Sequence, residues 1–235
     1  MSTVTMMIDG KEVKAESGTM LLEAARSAGI NIPTLCYKKD LSTYGACRLC
    51  TVEVVKGKKS RLVTSCTYPV DEGIVVKTES EPVMRGRKIL LELLLARWHV
   101  DKGIKLDTWP WTVKALLEKH GVEKTRFDES TTMCILCGLC VRYCAEVKKA
   151  NVLGFVGRGT KRQVVIFPEL AAKACPTCEG GKMGCSFVCP TGIIPNDFAC
   201  VAPYGGKKAM AYPVREFDKE NIREIQRSIG DKERT

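Results

Sequence analysis

Thirteen cysteines occur in a chain of 235 residues, and twelve of them fall into three compact spacings. Cys36, Cys47, Cys50 and Cys66 read C-x10-C-x2-C-x15-C. Cys134, Cys137, Cys140 and Cys144 read C-x2-C-x2-C-x3-C, and Cys175, Cys178, Cys185 and Cys189 read C-x2-C-x6-C-x3-C-P. An odd total with tight C-x2-C pairs fits metal ligation better than a disulfide framework. Thiolates are soft, strongly donating ligands suited to ferric and ferrous iron. Zinc also accepts four thiolates, so the spacing of the first group leaves iron–sulfur and zinc both open. The second group is a strong iron–sulfur signal in its own right.

The formal charge of +10 has the look of a nucleic-acid binder, but it omits any bound metal. Twelve ligating thiolates, offset by one [2Fe–2S] and two [4Fe–4S] cores, would leave the loaded chain near about +4. The lysines are scattered around the cysteine groups rather than gathered on one reading helix, so no nucleic-acid partner is expected. A basic surface can instead dock an acidic protein. The N-terminus MSTVTMMIDGKEV has no apolar signal segment, and the apolar run Ile89 to Ala96 contains Glu92 and is far too short to span a bilayer. No direct membrane insertion is expected, and a reducing cytoplasm, where thiolates stay available for iron, is the expected location.

Periodicity gives the layout. Val4 to Ile8, Asp9-Gly10 and Lys11 to Ala15 predict a hairpin around a D-G turn. Thr19 is the expected cap of a helix that runs to about Gly29, with Leu21, Leu22, Ala25 and Ala28 on its apolar face. Leu49 to Val55 and Leu62 to Cys66 predict strands flanking Lys56-Gly57-Lys58-Lys59, and Ile74 to Thr78 a last strand. Helices are expected over Arg85 to Arg97 and Trp111 to His120, joined by a connection over 101–109. Trp98, Trp109 and Trp111 read as packing residues. Val152 to Val156 and Gln163 to Phe167 predict a second hairpin around Gly157-Arg158-Gly159. Gly154 and Gly157 are read as backbone residues, since no Rossmann or phosphate-loop pattern surrounds them. The expected divisions are 1–80, around the first cysteine group, which the resemblance described below makes a [2Fe–2S] ferredoxin-like domain; 81–130, a helical connector; 131–200, around the two later groups, a two-[4Fe–4S] domain; and 201–235, a tail with a polar helix from Asp218 to Ile229. That tail reads equally as a docking arm or a surface appendage.

In bacterial two-cluster ferredoxins the fourth cysteine of each run ligates the other cluster. On that pattern one cubane takes Cys134, Cys137, Cys140 and Cys189, and its neighbour takes Cys175, Cys178, Cys185 and Cys144. Pro190 is expected to end the local helix. The second run is enlarged by Glu179-Gly180-Gly181-Lys182-Met183-Gly184, which makes Cys200 a lesser candidate in place of Cys185. Cys200 otherwise reads as an unreactive thiol.

The words IPTLCYKKDLSTYGACRLCTVEV and LVTSC, with the preceding MLLEAARSAGI, resemble the N-terminal [2Fe–2S] domain of the large NADH-dehydrogenase iron–sulfur subunit and of the diaphorase iron–sulfur subunit of bidirectional hydrogenases. MCILCGLCVRYCAEV, NVLGFVGRG and FVCPTG resemble the ferredoxin module of the same subunits. The resemblance implies an α+β chain: a β-grasp [2Fe–2S] domain, a helical connection and a two-[4Fe–4S] bacterial-ferredoxin-like domain. It implies Cys36, Cys47, Cys50 and Cys66 as the [2Fe–2S] ligands. Those families also carry a middle [4Fe–4S] cluster on a histidine and three cysteines. Here RGRKILLELLLARWHVDKG retains the helix and His99, but no cysteine lies between Cys66 and Cys134. That cluster is read as absent, and His99 as a surface or packing residue.

Three one-electron centres imply a relay rather than a site of covalent chemistry. The resemblance places FMN in a partner subunit that oxidises NAD(P)H, with a terminal redox subunit or soluble ferredoxin as the other partner. The whole would be a hydrogenase, formate dehydrogenase or electron-bifurcating oxidoreductase. Lys148, Lys149 and Arg158 either raise a nearby potential or are ordinary solvated residues. A freestanding polyferredoxin carrier is the alternative, and a metal-stabilised nucleic-acid-binding protein a more distant one.

Overall fold

The computed structural model describes residues 2–97, 111–127, 134–181, 184–191 and 194. Trp98, His99, Trp109, Cys200, the 101–109 connection and the helix expected from Asp218 to Ile229 lie outside the described residues, as does the side chain of Trp111. One compact unit takes in Met1–Ala96 and Ala115–Asp128, and a second takes in Arg97–Lys114 and Glu129–Thr235.

In the first unit β1 (Thr3–Ile8) and β2 (Lys11–Glu16) form an antiparallel hairpin, with Ile8 opposite Lys11 across the turn. Asp9 and Gly10 both sit at positive φ, +49° and +82°, the geometry a two-residue turn needs to match strand twist. Asp9 has a second role: its carboxylate accepts from Thr78 N at 2.8 Å and Thr78 Oγ1 at 2.6 Å, tying the turn to the end of β5. The sheet is completed by β3 (Thr51–Lys56), β4 (Lys59–Thr64) and β5 (Val75–Lys77), in the order β2-β1-β5-β3-β4. Only β1 and β5 run parallel. Met6, Ile8, Val13, Val52, Val54 and Val76 alternate onto one face and meet Leu21, Leu22, Ala24 and Ala25 of α1 (Leu21–Ser27). A mixed sheet gripping one helix is the β-grasp arrangement.

The ends of α1 differ in how the sequence encodes them. Gly29, at φ +74°, closes it: Gly29 N donates to Arg26 O and Ile30 N to Ala25 O, a Schellman motif. The N-terminus corrects the expectation for Thr19. Met20 is the cap residue and no side chain caps the helix. The first donors are taken by a loop: Leu21 N bonds Tyr68 O at 2.8 Å and Leu22 N bonds Ser65 O at 3.0 Å. Two tertiary carbonyls leave nothing for a threonine to satisfy.

Helix α2 (Glu81–Ala96) buries Val83, Arg87, Leu91 and Leu95 at four-residue intervals. Helix α3 (Trp111–Lys119) ends in Lys119, which pairs with Glu79. His120 follows it, 8 % exposed, and its Nε2 has no hydrogen-bond partner among the described residues.

The second unit is built from short pieces. Strands β6 (Leu153–Val156) and β7 (Gln163–Ile166) pair antiparallel. Around them stand α4 (Leu139–Arg142), a π-turn over Tyr143–Val147, α5 (Pro168–Ala174), a 3-10 turn over Cys175–Gly181 and α6 (Gly184–Phe187). Helix α6 stops at Phe187, three residues before Pro190, and Cys189 N then donates to Ser186 O. Pro190 therefore follows the helix end and does not set it. Gly157 is indispensable to the hairpin turn. It lies at φ +70°, and a Cβ there would meet Lys161 O at 2.4 Å.

Two predictions follow from these environments. Gly157→Ala combines a left-handed φ penalty of about 1–2 kcal/mol with a backbone clash, and should unfold the second unit at lower denaturant. Gly159→Ala, also at positive φ but with nothing within 4 Å, should be milder. For His120, burial first, then Arg87 and Lys119, hold the imidazole pKa below its usual 6.5, against Glu79. The unfolded chain therefore binds a proton that folded His120 refuses, and stability falls as pH drops through 6.5. Thermal midpoints between pH 7.5 and 5.5 should fall more for wild type than for His120→Gln.

Candidate metal centres

The first four cysteines come as two pairs, and Cys50 and Cys66 flank the open end of the β3–β4 hairpin. Cys36 and Cys47 form one: Cys47 N donates to Cys36 Sγ at 3.4 Å. Cys50 and Cys66 form the other, with their Sγ atoms 3.3 Å apart. All four are buried, Cys50 completely. The loop that presents them depends on unusual backbone: Gly45 at φ +68° and Arg48 at φ +60° turn the chain so that Cys47 and Cys50 face inward. A Cβ at Gly45 would stand 3.2 Å from Thr67 Cγ2, so the low bulk beside Cys47 is required by the Cys66 loop.

Cys66 is held from both sides. Ser65 and Tyr68 give their carbonyls to the N-terminus of α1, Ser65 Oγ and N both donate to Cys50 O, and Val70 N returns to Thr19 O. Behind Cys50 lies a residue the sequence did not single out. Arg87, 1 % exposed, sends Nε to Leu49 O at 3.0 Å and Nη2 to Thr51 O at 2.8 Å. Its two acceptors are the residues on either side of Cys50.

Electrostatics reflect the crowding. The neighbouring Cys66 thiol favours the Cys50 thiolate and brings its pKa down to about 7, while Cys66 itself is pushed far up by Cys50 and by burial. The Cys47 thiol is likewise raised, by its hydrogen bond with Cys36 and then by burial. Each pair thus shares one proton more readily than it holds two negative charges.

In the second unit thiols of the two runs act on one another. Cys140 feels Cys189, Cys137, Cys185 and Cys134, and Cys134 feels Cys189. Cys175 and Cys185 both feel Cys144 and Cys178. Burial is the largest cause of the raised pKa in each case, and it takes Cys175 to about 11. Cys144, Cys175, Cys178 and Cys185 line one cavity of about 280 Å³ together with Tyr143, Lys148 and Thr177. Val152 N donates to Cys144 Sγ at 3.2 Å, and Cys189 Sγ lies 3.5 Å from the buried Thr191 hydroxyl. Arg97 Nε donates to Cys134 O at 2.8 Å and Arg142 Nη2 to Cys137 O at 3.4 Å.

Loop geometry again explains the presentation. Gly138 at φ +71° and Leu136 at φ +52° fold the C-x2-C-x2-C run into a tight arc ahead of α4. The π-turn then carries Cys144. None of the twelve described cysteines forms a disulfide. Among the described residues no three His, Cys, Asp or Glu side chains close on a single-ion position. The thiols of the first group stand as facing pairs, and four thiols of the second unit line one cavity. That arrangement fits multi-atom clusters with thiolate ligands. Of the basic residues named in the sequence, Lys148 alone lines this cavity.

Residues 1–81 match the 2Fe-2S iron–sulfur cluster binding domain family. The chain is 34% identical over 204 residues to the NADH-ubiquinone oxidoreductase 78 kDa subunit of Neurospora crassa, covering 77% of this chain and 27% of that protein. It is 32% identical to the NADPH-Fe(3+) oxidoreductase subunit alpha of Geobacter sulfurreducens, over 81% of this chain and 24% of the relative. It is 33% identical to the NADP-reducing hydrogenase subunit HndD of Solidesulfovibrio fructosivorans, over 83% of this chain and 36% of the relative. It thus spans only about a quarter to a third of the length of these curated relatives. A chain in the crystal structure of an NAD+-reducing [NiFe]-hydrogenase in the H2-reduced state superposes with a TM-score of 0.65 at 29% identity. That match covers 81% of this chain and 86% of the other. The resemblance read from the cysteine words to iron–sulfur subunits of NAD(P)H-linked dehydrogenases and hydrogenases holds.

Proposed function

We propose, from the membership of residues 1–81 in the 2Fe-2S iron–sulfur cluster binding domain family, that the chain is an electron-relay subunit. It would link a flavin-containing, NAD(P)H-linked partner to another redox subunit. What supports this reading is the facing of the first four thiols as two pairs and the approach of thiols from the two later runs, with Cys189 acting on Cys134 and Cys140 and Cys144 acting on Cys175 and Cys185. When bound, the clusters supply one-electron donor–acceptor centres.

The remaining parts of the proposal concern the chain's own residues. Cys36 with Cys47, and Cys50 with Cys66, are two thiol pairs of the kind a two-iron cluster requires. Cys134, Cys137, Cys140 and Cys189 would hold one [4Fe–4S] cluster, and Cys175, Cys178, Cys185 and Cys144 the other. Burial keeps water from the first set, and backbone N–H groups directed at Cys36 and Cys144 favour negative charge on sulfur. The domains would be the β-grasp unit, the helical connector and the two-cubane module, with FMN in the partner.

The relatives named above are subunits of NADH-, NADPH- or NADP-linked oxidoreductases and a hydrogenase, which supports a multisubunit setting. The terminal partner would belong to a hydrogenase, formate dehydrogenase or electron-bifurcating enzyme. No described helix is long and apolar enough to cross a membrane, and the exposed basic residues suit docking to acidic protein surfaces in a reducing cytoplasm.

Two measurements test this. Anaerobically isolated protein should contain about ten iron and ten inorganic sulfides per chain; four zincs, or a reproducible two-iron total, would sink the cluster assignment. Cys50→Ser should abolish the [2Fe–2S] electron-spin signal while both cubane signals persist. Loss of a cubane signal alone would contradict the ligand partition.

A further inference from the structure

Arg87 is placed where no packing argument calls for a cation. It occupies the second position of the apolar stripe Val83, Arg87, Leu91, Leu95 on α2 and is 1 % exposed. Its guanidinium has only two hydrogen-bond acceptors given by the described residues, Leu49 O and Thr51 O, and both are backbone groups that any neutral donor could satisfy. A buried guanidinium ordinarily takes a carboxylate partner at hydrogen-bond distance. Two carboxylates, Glu79 most strongly and then Asp9, favour the charge of Arg87 without a hydrogen bond to it; Glu79 pairs with Lys119, and Asp9 accepts twice from Thr78. The other anion-forming group that acts on Arg87 is Cys50.

We infer that Arg87 is the fixed cation of the first metal centre: through the carbonyls of Leu49 and Thr51 it positions Cys50, and its charge raises the reduction potential of the cluster held there. The inference rests on the assignment of Cys36, Cys47, Cys50 and Cys66 as [2Fe–2S] ligands. The physical argument is one of sign. Reduction adds one negative charge to the site, and a permanent positive charge in a poorly solvated surrounding stabilises the reduced form. Arg87 cannot lose its proton in the working pH range, so the bias does not depend on pH. Its planar fork reaches two carbonyls two residues apart, which a lysine ammonium cannot match in geometry although it matches it in charge.

The two properties separate by substitution. Arg87→Lys keeps charge and relaxes geometry, whereas Arg87→Gln keeps a donor and removes charge. The experiment is an anaerobic redox titration of the full-length loaded protein, followed by the [2Fe–2S] electron-spin signal, with iron content and the cubane signals recorded in the same samples. Arg87→Gln should lower the [2Fe–2S] midpoint by at least tenfold in the one-electron equilibrium, about 59 mV. Arg87→Lys should retain most of the wild-type midpoint with a broadened or altered signal. The cubane midpoints should not move.

An unchanged midpoint in Arg87→Gln overturns the inference, and so does an equal fall in both variants. If both variants lose the [2Fe–2S] iron and keep cubane iron, Arg87 is confined to holding the loop and its assigned effect on potential falls. A wild-type protein with cubane signals but no [2Fe–2S] signal overturns the ligand assignment itself, and the role of Arg87 with it.

Discussion

Like charges brought together out of water are the constraint that shapes this chain. Four cysteines share the buried end of the first unit, with one Sγ–Sγ distance of 3.3 Å, and four more line a cavity in the second. Four thiolates in such a space repel one another strongly unless cations or donors accompany them. The described residues supply some of these: N–H groups aimed at Cys36 and Cys144, backbone groups that favour the Cys47, Cys50 and Cys134 thiolates, and the buried guanidinium of Arg87 behind Cys50. Bound metal would supply the rest. This is why the formal charge of the bare chain misleads, and why its basic residues do not by themselves imply nucleic acid.

The same requirement reaches into the fold through the backbone. The Cys66 loop offers Ser65 O and Tyr68 O to the first turn of α1 and takes Ser65 N back to Cys50 O. Helix, cysteine loop and sheet therefore share one set of hydrogen bonds. Displacing Cys66 would orphan the N-terminal donors of α1, and removing α1 would leave two buried carbonyls unsatisfied. The sheet core of Met6, Ile8, Val52, Val54 and Val76 fixes these partners from the other face.

Much of this was legible in the sequence because it is local. The Asp9-Gly10 turn, the Gly29 helix end and the hairpin around Gly157 depend on φ values that residue type announces. The cysteine words were legible because ligand spacing is a property of the chain. Three features were not. Leu49 and Cys50 read as strand, but Arg48 at φ +60° keeps them in the loop and β3 begins at Thr51. Lys59 read as turn and the strand was expected only from Leu62, yet Lys59, Ser60 and Arg61 open β4, an edge strand whose charged residues face solvent and discourage pairing with another sheet. Thr19 had the chemistry of a cap but was displaced by carbonyls more than forty residues away. Arg87 belongs with these: on α2 it reads as one more basic residue, and only its partners on the Cys50 loop, 36 and 38 positions earlier, give it meaning.

The two units differ in what their cysteines do for stability. In the first, Cys50 and Cys66 join a core that five strands and α1 supply chiefly with aliphatic side chains. In the second, Cys140, Cys144, Cys175 and Cys185 are themselves core residues, packed with Val152, Leu153, Val164, Ala171 and Ile194. Its sheet has two strands of four residues, and α4 and α6 are four residues each. Such elements are too short to persist alone. Ligation crossed between the two runs would hold both ends of this unit at once, so that metal entry and folding there become a single equilibrium. The first unit has an aliphatic core that does not depend on its metal in the same way. The burial of Arg87 gives it a different dependence: its direct partners are carbonyl dipoles, Glu79 and Asp9 act on it without a hydrogen bond, and a negative cluster in front of it would add to the stabilisation of that buried charge.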